Sequence, residues 1–492
     1  MNPDRILEGL NPEQKKAVMC TEGPLLVFAG AGSGKTKVIT NRIAYLITQK
    51  SVKSEDILAV TFTKKAAGEM QERVTKILQD LGEEGVKIPL IGTFHSIGAI
   101  MLRQNAEIVG LENNFSIYDS DDSENMIKEI LLERDIDIKQ IKPSAISYFI
   151  SSAKNDMIAP EQFPFHYGGF IEDVVADIYP VYQKQLQAQN AVDFGDLLYL
   201  TVKLLEENQN VRSRYQERFK YLLIDEYQDT NTVQYRFAKL LAEKHHNICV
   251  VGDDDQGIYA WRGANIKNIQ SFENDFENVT VVKLEQNYRS TKNVIKAAVN
   301  VIQQNNSRVD KVLWTDNNEG EKISIYQALD QEDEAEYVLS NIRLLQQKGV
   351  QLRDMAILYR TNYQSRAIEE AFLKSGIPYK LVGGFRFYER KEIKDIISFL
   401  RFCFNPKDEL SLDRILNIPP RKMGPKAKAE LHSFAKESAL TIGEFLIAAY
   451  VCENRENLKE SGFSKDLIDS LSASKDKWKK YLSVISLFGN LY

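Results

Sequence analysis

The chain has 492 residues, which is more than one hydrophobic core usually supports, so we expect about three or four domains. Hydrophobic residues make up 43% and charged residues 27%, a mixture that excludes a disordered or fibrous chain. The net charge of -6 excludes a surface covered in positive charge, so any nucleic-acid site must be a local groove.

Cysteine and histidine usage excludes two further classes of protein. The four cysteines have no paired spacing, and the five histidines form no ligand pattern with them, which argues against a disulfide framework and a zinc site. The first residues have no signal-peptide pattern, and no apolar run approaches the length of a membrane span. We therefore expect a cytoplasmic protein with no membrane partner.

The first strong signal is a glycine-rich turn. A helix is predicted to begin at Asn11 and Pro12, and the apolar run Leu25 to Phe28 then stops in a turn that ends in Lys-Thr. This is the strand, loop and helix pattern of a phosphate-binding loop, in its relaxed form with alanine at the first position. The alternative is an ordinary glycine-rich connection, which the Lys-Thr ending disfavours. The predicted nucleotide-binding residues are Ala29, Gly30, Ala31, Gly32, Ser33, Gly34, Lys35 and Thr36.

Each part of this loop has a physical role. The glycines let backbone N–H groups converge on an anion, and the positive end of the following helix dipole adds to the attraction. Lys35 should reach the terminal phosphates, and Thr36 should hold Mg²⁺.

Strands and helices alternate after the loop. Apolar spacing predicts a helix from Lys37 to Ile47, a strand from Ile57 to Thr63 and a helix from Lys64 to Leu78. This alternation predicts an α/β domain with a parallel sheet. Residues 97–190 then have helical patterns without a strong strand, so we expect a helical insertion there.

Two apolar strands resume the sheet, Tyr221 to Glu226 and Ile248 to Asp253. Both end in carboxylates, at the edge where open α/β sheets bind ligands. Asp225 is predicted to hold Mg²⁺ together with Thr36, and Glu226 to orient and deprotonate an attacking water. Two adjacent acids are common on protein surfaces, but the phosphate-binding loop in the same sheet favours catalysis.

A second α/β unit is predicted after residue 283, and the chain from about residue 385 to Tyr492 is predicted to be helical. The expected strands of this unit are Ile323 to Ala328, Met355 to Tyr359 and Tyr379 to Val382, and its expected helices are Glu332 to Gln347 and Ser365 to Ser375.

Three stretches resemble motifs of the UvrD/Rep/PcrA group of superfamily 1 DNA helicases: Asp225 to Thr230, Val251 to Ala264 and Leu284 to Thr291. Thr93 to Ser96, Asp193 to Leu198 and Tyr359 to Asn362 are similar to further motifs of the group. The resemblance extends from Asn11 to at least Asp395. An RNA helicase of the DEAD-box kind would have Ala-Asp after Glu226 instead of Tyr-Gln.

The resemblance implies an α/β fold with two RecA-like parallel-sheet P-loop NTPase domains and helical accessory domains, the second set incomplete. Residues 1–96 and 191–282 would form the first RecA-like, ATP-binding domain, and residues 97–190 the helical insertion domain. Residues 283–384 would form the first half of the second RecA-like domain, and residues 385–492 part of a helical accessory domain.

The resemblance also implies roles at the nucleotide. Gln14 would read adenine and Tyr288 would stack on it, while Gln256 and Arg289 would sense the terminal phosphate. Lys37 stands where close relatives have arginine, which keeps the charge of the nucleotide contact but loses the planar fork. The implied catalytic set is Lys35, Asp225, Glu226, Gln256 and Arg289.

Single-stranded DNA would be held by stacking on aromatic rings, at about 1–3 kcal/mol for each base. Trp261 stands just beyond the nucleotide sensor, a poor place for a core residue, so its position favours such a platform. The implied stacking residues are Phe62, Tyr259 and Trp261, and the implied polar contacts are Thr63, His95, Arg262, Arg360 and Asn362.

The resemblance thus implies an ATP-dependent DNA helicase or translocase that moves three-prime to five-prime, in DNA repair or replication. Its cofactors would be ATP and Mg²⁺, and its partner single-stranded DNA with an adjoining duplex. We expect a monomer or a weak dimer.

Two alternatives stay open at this point. The family's remaining DNA-contact motif and second phosphate-reading arginine are not found before Tyr492, so we expect a fragment or a naturally shortened relative. The chain would then be an ATP-gated single-stranded DNA-binding module without unwinding activity. A motor within a repair nuclease would need a carboxylate cluster beyond Tyr492.

Overall fold

The computed structural model describes residues 4–83, 85–305, 308–382, 390–454 and 462–492. The chain forms two compact units, one of Met1–Asn318 with Asp395–Tyr492 and one of Glu319–Lys394. The predicted boundary at residues 384 and 385 lies outside the described residues.

A six-stranded sheet, in the order β3-β2-β6-β7-β1-β8, organises the first unit, and all its pairs are parallel. The predicted parallel sheet is therefore confirmed. Because the strands are parallel, their carboxyl ends share one edge. A separate short parallel pair, β4 with β5, was not predicted. The strands are β1 Leu25–Ala29, β2 Ile57–Thr61, β3 Leu90–Thr93, β4 Ser116–Ile117, β5 Ala191–Val192, β6 Tyr221–Ile224, β7 Ile248–Gly252 and β8 Thr280–Leu284.

Helices cover both faces of the sheet, and the alternation of side chains along β1 shows this directly. Leu26 and Phe28 join a core with α5, α10 and α12, whereas Leu25 and Val27 join a second core with α2, α3 and α4. Burial on both faces explains why these strands are continuous apolar runs. The helices are α1 Asp4–Leu7, α2 Pro12–Met19, α3 Lys35–Gln49, α4 Lys64–Asp80, α5 Phe94–Gln104, α6 Ser120–Glu133, α7 Pro143–Asn155, α8 Phe163–His166, α9 Phe170–Ala188, α10 Asp196–Glu207, α11 Gln209–Arg218, α12 Thr232–Ala242, α13 Lys267–Gln270, α14 Phe272–Asp275 and α15 Lys292–Ile302.

Residues 97–190 are mostly helical, as predicted, and their separation as an insertion domain stays a prediction. Helices α6 to α9 pack around their own apolar core, in which Ile127, Ile146 and Tyr179 are fully buried. A buried ion pair joins the insertion to the sheet domain, because Lys154 of α7 contacts Asp193 at 2.6 Å and Asp196 at 2.8 Å.

The second unit contains helices α16 Gln331–Gln347 and α17 Ser365–Ser375, both as predicted. Leu339, Ile342 and Phe372 form its small core. The three predicted strands are wrong, because the described residues 323–328, 355–359 and 379–382 form no strand. A β-strand requires hydrogen bonds to a neighbouring strand, which an apolar pattern alone does not supply. Ile325 and Leu358, two apolar residues of the predicted strands, are each 95% exposed.

The last described region is helical, as predicted, and has a separate apolar core around Phe445, Trp478 and Phe488. It contacts the insertion through polar side chains, for example where Tyr118 donates to Asp408 at 2.8 Å. In the described ranges, no helix has both the length and the apolarity needed to cross a membrane. The helices are α18 Lys391–Phe404, α19 Glu409–Ile415, α20 Pro425–Glu437, α21 Ile442–Glu453, α22 Lys465–Ala473, α23 Lys475–Trp478 and α24 Leu482–Leu491.

Candidate nucleotide site and nucleic-acid interface

The predicted phosphate-binding loop connects β1 to α3 at the carboxyl edge of the sheet. Gly32 and Gly34 have φ values of 67° and 89°, a left-handed region that side chains rarely adopt. A Cβ on Gly34 would also lie 2.8 Å from Nε2 of Gln14, so a side chain there would displace the Gln14 amide. The hydroxyl of the buried Ser33 has no hydrogen-bond partner among the described residues, so a polar group remains available inside the loop.

Gln14 and Tyr288 both lie beside this loop. The amide of Gln14 donates to the carbonyl of Ser33 at 2.8 Å, and its Oε1 accepts the backbone N–H of Asn11 at 3.1 Å. The hydroxyl of Tyr288 accepts from Asn11 at 2.9 Å. The proximity agrees with adenine recognition, which stays a prediction because the Gln14 amide is engaged with the loop. The exposed Lys37 donates to the carbonyl of Gly9 at 2.7 Å, so its nucleotide contact also stays a prediction.

Asn287 is a residue that the sequence analysis missed. Its side chain donates to the carbonyl of Ala31 at 2.5 Å and accepts the backbone N–H of Arg289 at 2.8 Å. The backbone N–H of Tyr288 donates to Gly32 at 2.9 Å. Asn287 therefore holds the Arg289 segment against the phosphate-binding loop. The position of Asn287 beside Tyr288 and Arg289 in one motif was the sequence feature that could have identified it.

The two acids after β6 are held at the same edge. Lys35 contacts Oε2 of Glu226 at 2.9 Å, and the Gln228 amide donates to the same oxygen at 2.8 Å. Glu226 has a φ of 50°, a strained conformation for a residue with a side chain. The fold thus holds Glu226 in a conformation that the chain would not adopt by local preference.

Asp225 and Asp229 have perturbed acidities. Burial, and then the charge of Glu226, raise the pKa of Asp225 to about 7, against the opposing effect of Lys35. Burial and Glu226 also raise the pKa of Asp229 to about 6. Like charges in a buried site cause such shifts, and a cation placed among them would reverse them.

The residues at this edge fit Mg²⁺. Thr36 offers a hydroxyl and Asp225 a carboxylate, the hard oxygen donors that Mg²⁺ prefers. Oδ1 of Asp229 is buried without a hydrogen-bond partner in the described part of the chain. Asp229 is therefore a further candidate donor that the sequence analysis did not name.

The predicted sensor Gln256 is connected to the same acids. Its amide donates to Asp253, whose backbone N–H donates to Oε1 of Gln228 at 3.0 Å. Because Gln228 also bonds to Glu226, a continuous series of contacts leads from Lys35 to Gln256.

Asp253, Asp254 and Asp255 bring carboxylate oxygens within 4.8 Å of one another, as in a metal site. The ammonium of Lys311 already contacts all three, at 2.7 Å for Asp253, at 3.0 Å for Asp255 and also at Asp254. The cluster is therefore a buried ion-pair network. Lys311 was not predicted, because no local motif connects it to these acids.

The predicted stacking residues form an aromatic cluster just after the sensor. The rings of Phe62 and Tyr259 stack at 5.3 Å, and that of Trp261 lies 6.5 Å from Tyr259. The guanidinium of Arg262 lies 4.5 Å from the centre of the Trp261 ring. Trp261 is 60% exposed, so part of its ring is accessible to a base. Thr63 caps α4 through its side chain.

His95 lies under a second exposed aromatic residue. The ring of Phe194 stacks on it at 3.9 Å, and burial lowers the pKa of His95 to about 4. His95 is therefore neutral near pH 7. Phe194 is 58% exposed and lies in one of the quoted motifs, yet it was not among the predicted contacts.

Arg360 and Asn362 belong to the second unit. Both are exposed, and the backbone N–H of Arg360 donates to the Gln364 side chain at 3.0 Å. Their predicted contacts with DNA stay predictions.

Comparison with known proteins identifies two family segments. Residues 10–277 match the UvrD/REP helicase N-terminal domain, and residues 282–481 match the UvrD-like helicase C-terminal domain. The first match alone covers more than half of the chain, and the two together span all the site residues described above.

Several curated relatives carry the name ATP-dependent DNA helicase PcrA. That of Bacillus subtilis strain 168 is 49% identical over 439 residues, which are 89% of this chain and 59% of the relative. Those of Staphylococcus aureus Mu50 and Staphylococcus epidermidis RP62A are each 47% identical over 441 residues, 90% of this chain and 60% of the relative. The chain thus spans about three fifths of the length of these relatives. With both domain models matched, this chain belongs to the UvrD/REP helicase family.

Proposed function

We propose that this chain provides the ATP-hydrolysing and strand-binding machinery of an ATP-dependent DNA helicase that moves three-prime to five-prime on single-stranded DNA. The observation that carries the proposal is the series of contacts from Lys35 through Glu226, Gln228 and Asp253 to Gln256. It links the predicted phosphate-binding lysine, water-activating acid and phosphate sensor at one edge of the sheet.

In this function Lys35 holds the terminal phosphates, and Glu226 orients the attacking water and accepts its proton. The pairing of Lys35 with Glu226 means that a phosphate must compete for the lysine, which frees the carboxylate to act as a base. Thr36 and Asp225 would hold Mg²⁺, which supplies charge neutralisation for the phosphates. Asn287 holds the Arg289 segment against the phosphate-binding loop, so Arg289 adds a second positive charge for the phosphates.

Strand binding is connected to the nucleotide by position. Gln256 precedes Tyr259, Trp261 and Arg262 by a short turn, and Phe62 stacks on Tyr259, so movement of the sensor would move the aromatic platform. Stacking does not read base identity, which suits a protein that moves along DNA of any sequence.

The alternative function is an ATP-gated DNA-binding module. The match of residues 282–481 to the C-terminal helicase domain favours the motor over this alternative. We further propose single-strand to duplex junctions as the substrate and the cytoplasm as the location, which the four free cysteines support.

The test is the ATPase rate with and without single-stranded DNA, for the parent chain, Lys35→Ala and the control Lys203→Ala. Lys203 is exposed and pairs only loosely with Glu207, at 3.9 Å. We expect DNA-stimulated turnover in the parent and the control and its loss in Lys35→Ala. Nucleotide and DNA binding without stimulated turnover in the parent would instead support the gated module.

A further inference from the structure

A short segment, Arg308–Trp314, lies between the sensor and the phosphate-binding loop, and we call it the strap. On the sensor side, Arg308 forms two bonds with Asp255, at 3.1 and 3.0 Å. The backbone N–H of Val309 donates to Asp254 at 2.6 Å, and Lys311 contacts all three aspartates.

The other end of the strap contacts the Arg289 segment. The carbonyl of Trp314 accepts the backbone N–H of Asn287 at 2.7 Å, and its own N–H donates to Glu285 at 3.1 Å. Leu313 packs on the loop itself, since a Cβ on Gly30 would lie 2.3 Å from Cδ2 of Leu313. The strap therefore contacts the aspartates beside Gln256 and the segment that carries Arg289, the two residues that are proposed to sense the terminal phosphate.

Lys311 is central to the sensor side. Its side chain is 2% exposed, and burial disfavours its charge, but Asp253 and the neighbouring aspartates raise its pKa above the ordinary value. Asp253 bonds to Lys311 through one oxygen and to the Gln256 amide through the other. Without the ammonium of Lys311, the three carboxylates would face one another, and Arg308 would be the strap's remaining cation beside them. The repulsion among the carboxylates would turn Asp253 away from Gln256.

We propose that Lys311 is a positioning residue for the phosphate sensor, and that through the strap it couples Gln256 to the Arg289 segment. The inference rests on the proposed ATPase function and assigns a role to a residue outside its motifs. Lys311 touches no nucleotide in this role and acts only through Asp253.

The first experiment compares ATPase kinetics of the parent with Lys311→Met, Lys311→Arg and the control Lys239→Met. Lys239 also pairs with an aspartate, Asp275, at 3.0 Å, away from the sensor. We expect Lys311→Met to lower the DNA-stimulated kcat by about tenfold or more while KM for ATP changes by less than about threefold. Lys311→Arg should recover part of the loss, and the control should match the parent. An unchanged kcat, or a rise in KM alone, would overturn the proposal.

A double variant protects the test against misfolding. Lys311→Met with Asp254→Asn removes one carboxylate together with the ammonium, so the local net charge is kept while Asp253 still lacks its cation. The proposal expects the loss of kcat to persist. Full recovery would show that Lys311 only neutralises the cluster.

A second readout does not depend on turnover. Two of the three tryptophans lie here, Trp261 after the sensor and Trp314 at the end of the strap, whereas Trp478 is buried in the core of the last helical region. A change in tryptophan emission when a non-hydrolysable ATP analogue binds therefore reports on the sensor and the strap. We expect the emission change of the parent to be lost in Lys311→Met while a fluorescent nucleotide still binds both. If the parent shows no turnover, the proposed function fails, and this measurement still decides the role of Lys311: an unaltered emission change in Lys311→Met would contradict it.

Discussion

The ammonium of Lys35 lies 2.9 Å from Oε2 of Glu226, so the loop lysine and the acid after β6 form an ion pair. The pair joins two sequence motifs that are 191 residues apart. It places the proposed base next to the phosphate-binding lysine.

Glu226→Gln should separate nucleotide binding from hydrolysis. The amide cannot accept a proton from water, so we expect single-turnover hydrolysis to fall by about 10²–10⁴-fold while nucleotide affinity is kept. Quench-flow measurements with excess protein test this. Glu207→Gln, at an exposed position on α10, is the control and should match the parent. A fall of less than about tenfold in Glu226→Gln would remove Glu226 from the role of base.

Trp261→Ala should weaken binding of single-stranded DNA. Loss of one stacking platform costs about 1–3 kcal/mol, or about 5- to 150-fold in Kd, and the ring is exposed for stacking. Fluorescence anisotropy with a labelled oligonucleotide measures it. Trp261→Phe should keep most of the affinity, and Tyr492→Ala, which removes another exposed aromatic side chain, should have no effect. Equal affinity of Trp261→Ala and the parent would exclude the platform.

His95 should make the fold sensitive to acid. Its pKa is about 4 in the folded chain, against an ordinary value of 6.5, because burial disfavours the charge. Between pH 4 and pH 6.5 the unfolded chain binds more protons at this histidine than the folded chain does. The free energy of unfolding is therefore unaffected by His95 above pH 6.5, and it falls by up to about 3 kcal/mol as the pH is lowered towards 4. Urea unfolding at pH 7.0, 5.5 and 4.5 should show a smaller acid loss for His95→Gln than for the parent. Identical pH profiles would contradict this origin.

Lys154→Met should destabilise the junction between the insertion and the sheet domain. Lys154 is fully buried between Asp193 and Asp196, and removing one side of a buried ion pair leaves uncompensated charges, at a cost of about 3–5 kcal/mol. Thermal unfolding followed by circular dichroism measures the loss. Lys203→Met, an exposed lysine on the neighbouring helix α10, should leave Tm unchanged. A Tm for Lys154→Met equal to that of the parent would contradict the prediction.

Much of the site could be predicted from the sequence because its signals are local. The phosphate-binding loop needs glycines within a few residues of one another, and the acids follow apolar strands directly along the chain. A buried parallel strand is a continuous apolar run whatever its neighbours are, so β1, β2, β6 and β7 were predicted close to their observed bounds.

The ion-pair networks were decided by tertiary structure. Lys311 lies 57 residues from Asp254, and Lys154 lies 39 residues from Asp193, and no spacing rule connects such positions. In the sequence alone, a lysine outside a motif cannot be told from an exposed surface lysine, because its burial beside carboxylates depends on the fold. The strands wrongly predicted in the second unit have the same cause, since an apolar run becomes a strand only when another strand bonds to it. The local sequence pattern thus determined the phosphate-binding loop and the strands and acids that follow it. The pairing of distant charges and of distant strands depended on contacts that only the folded chain makes.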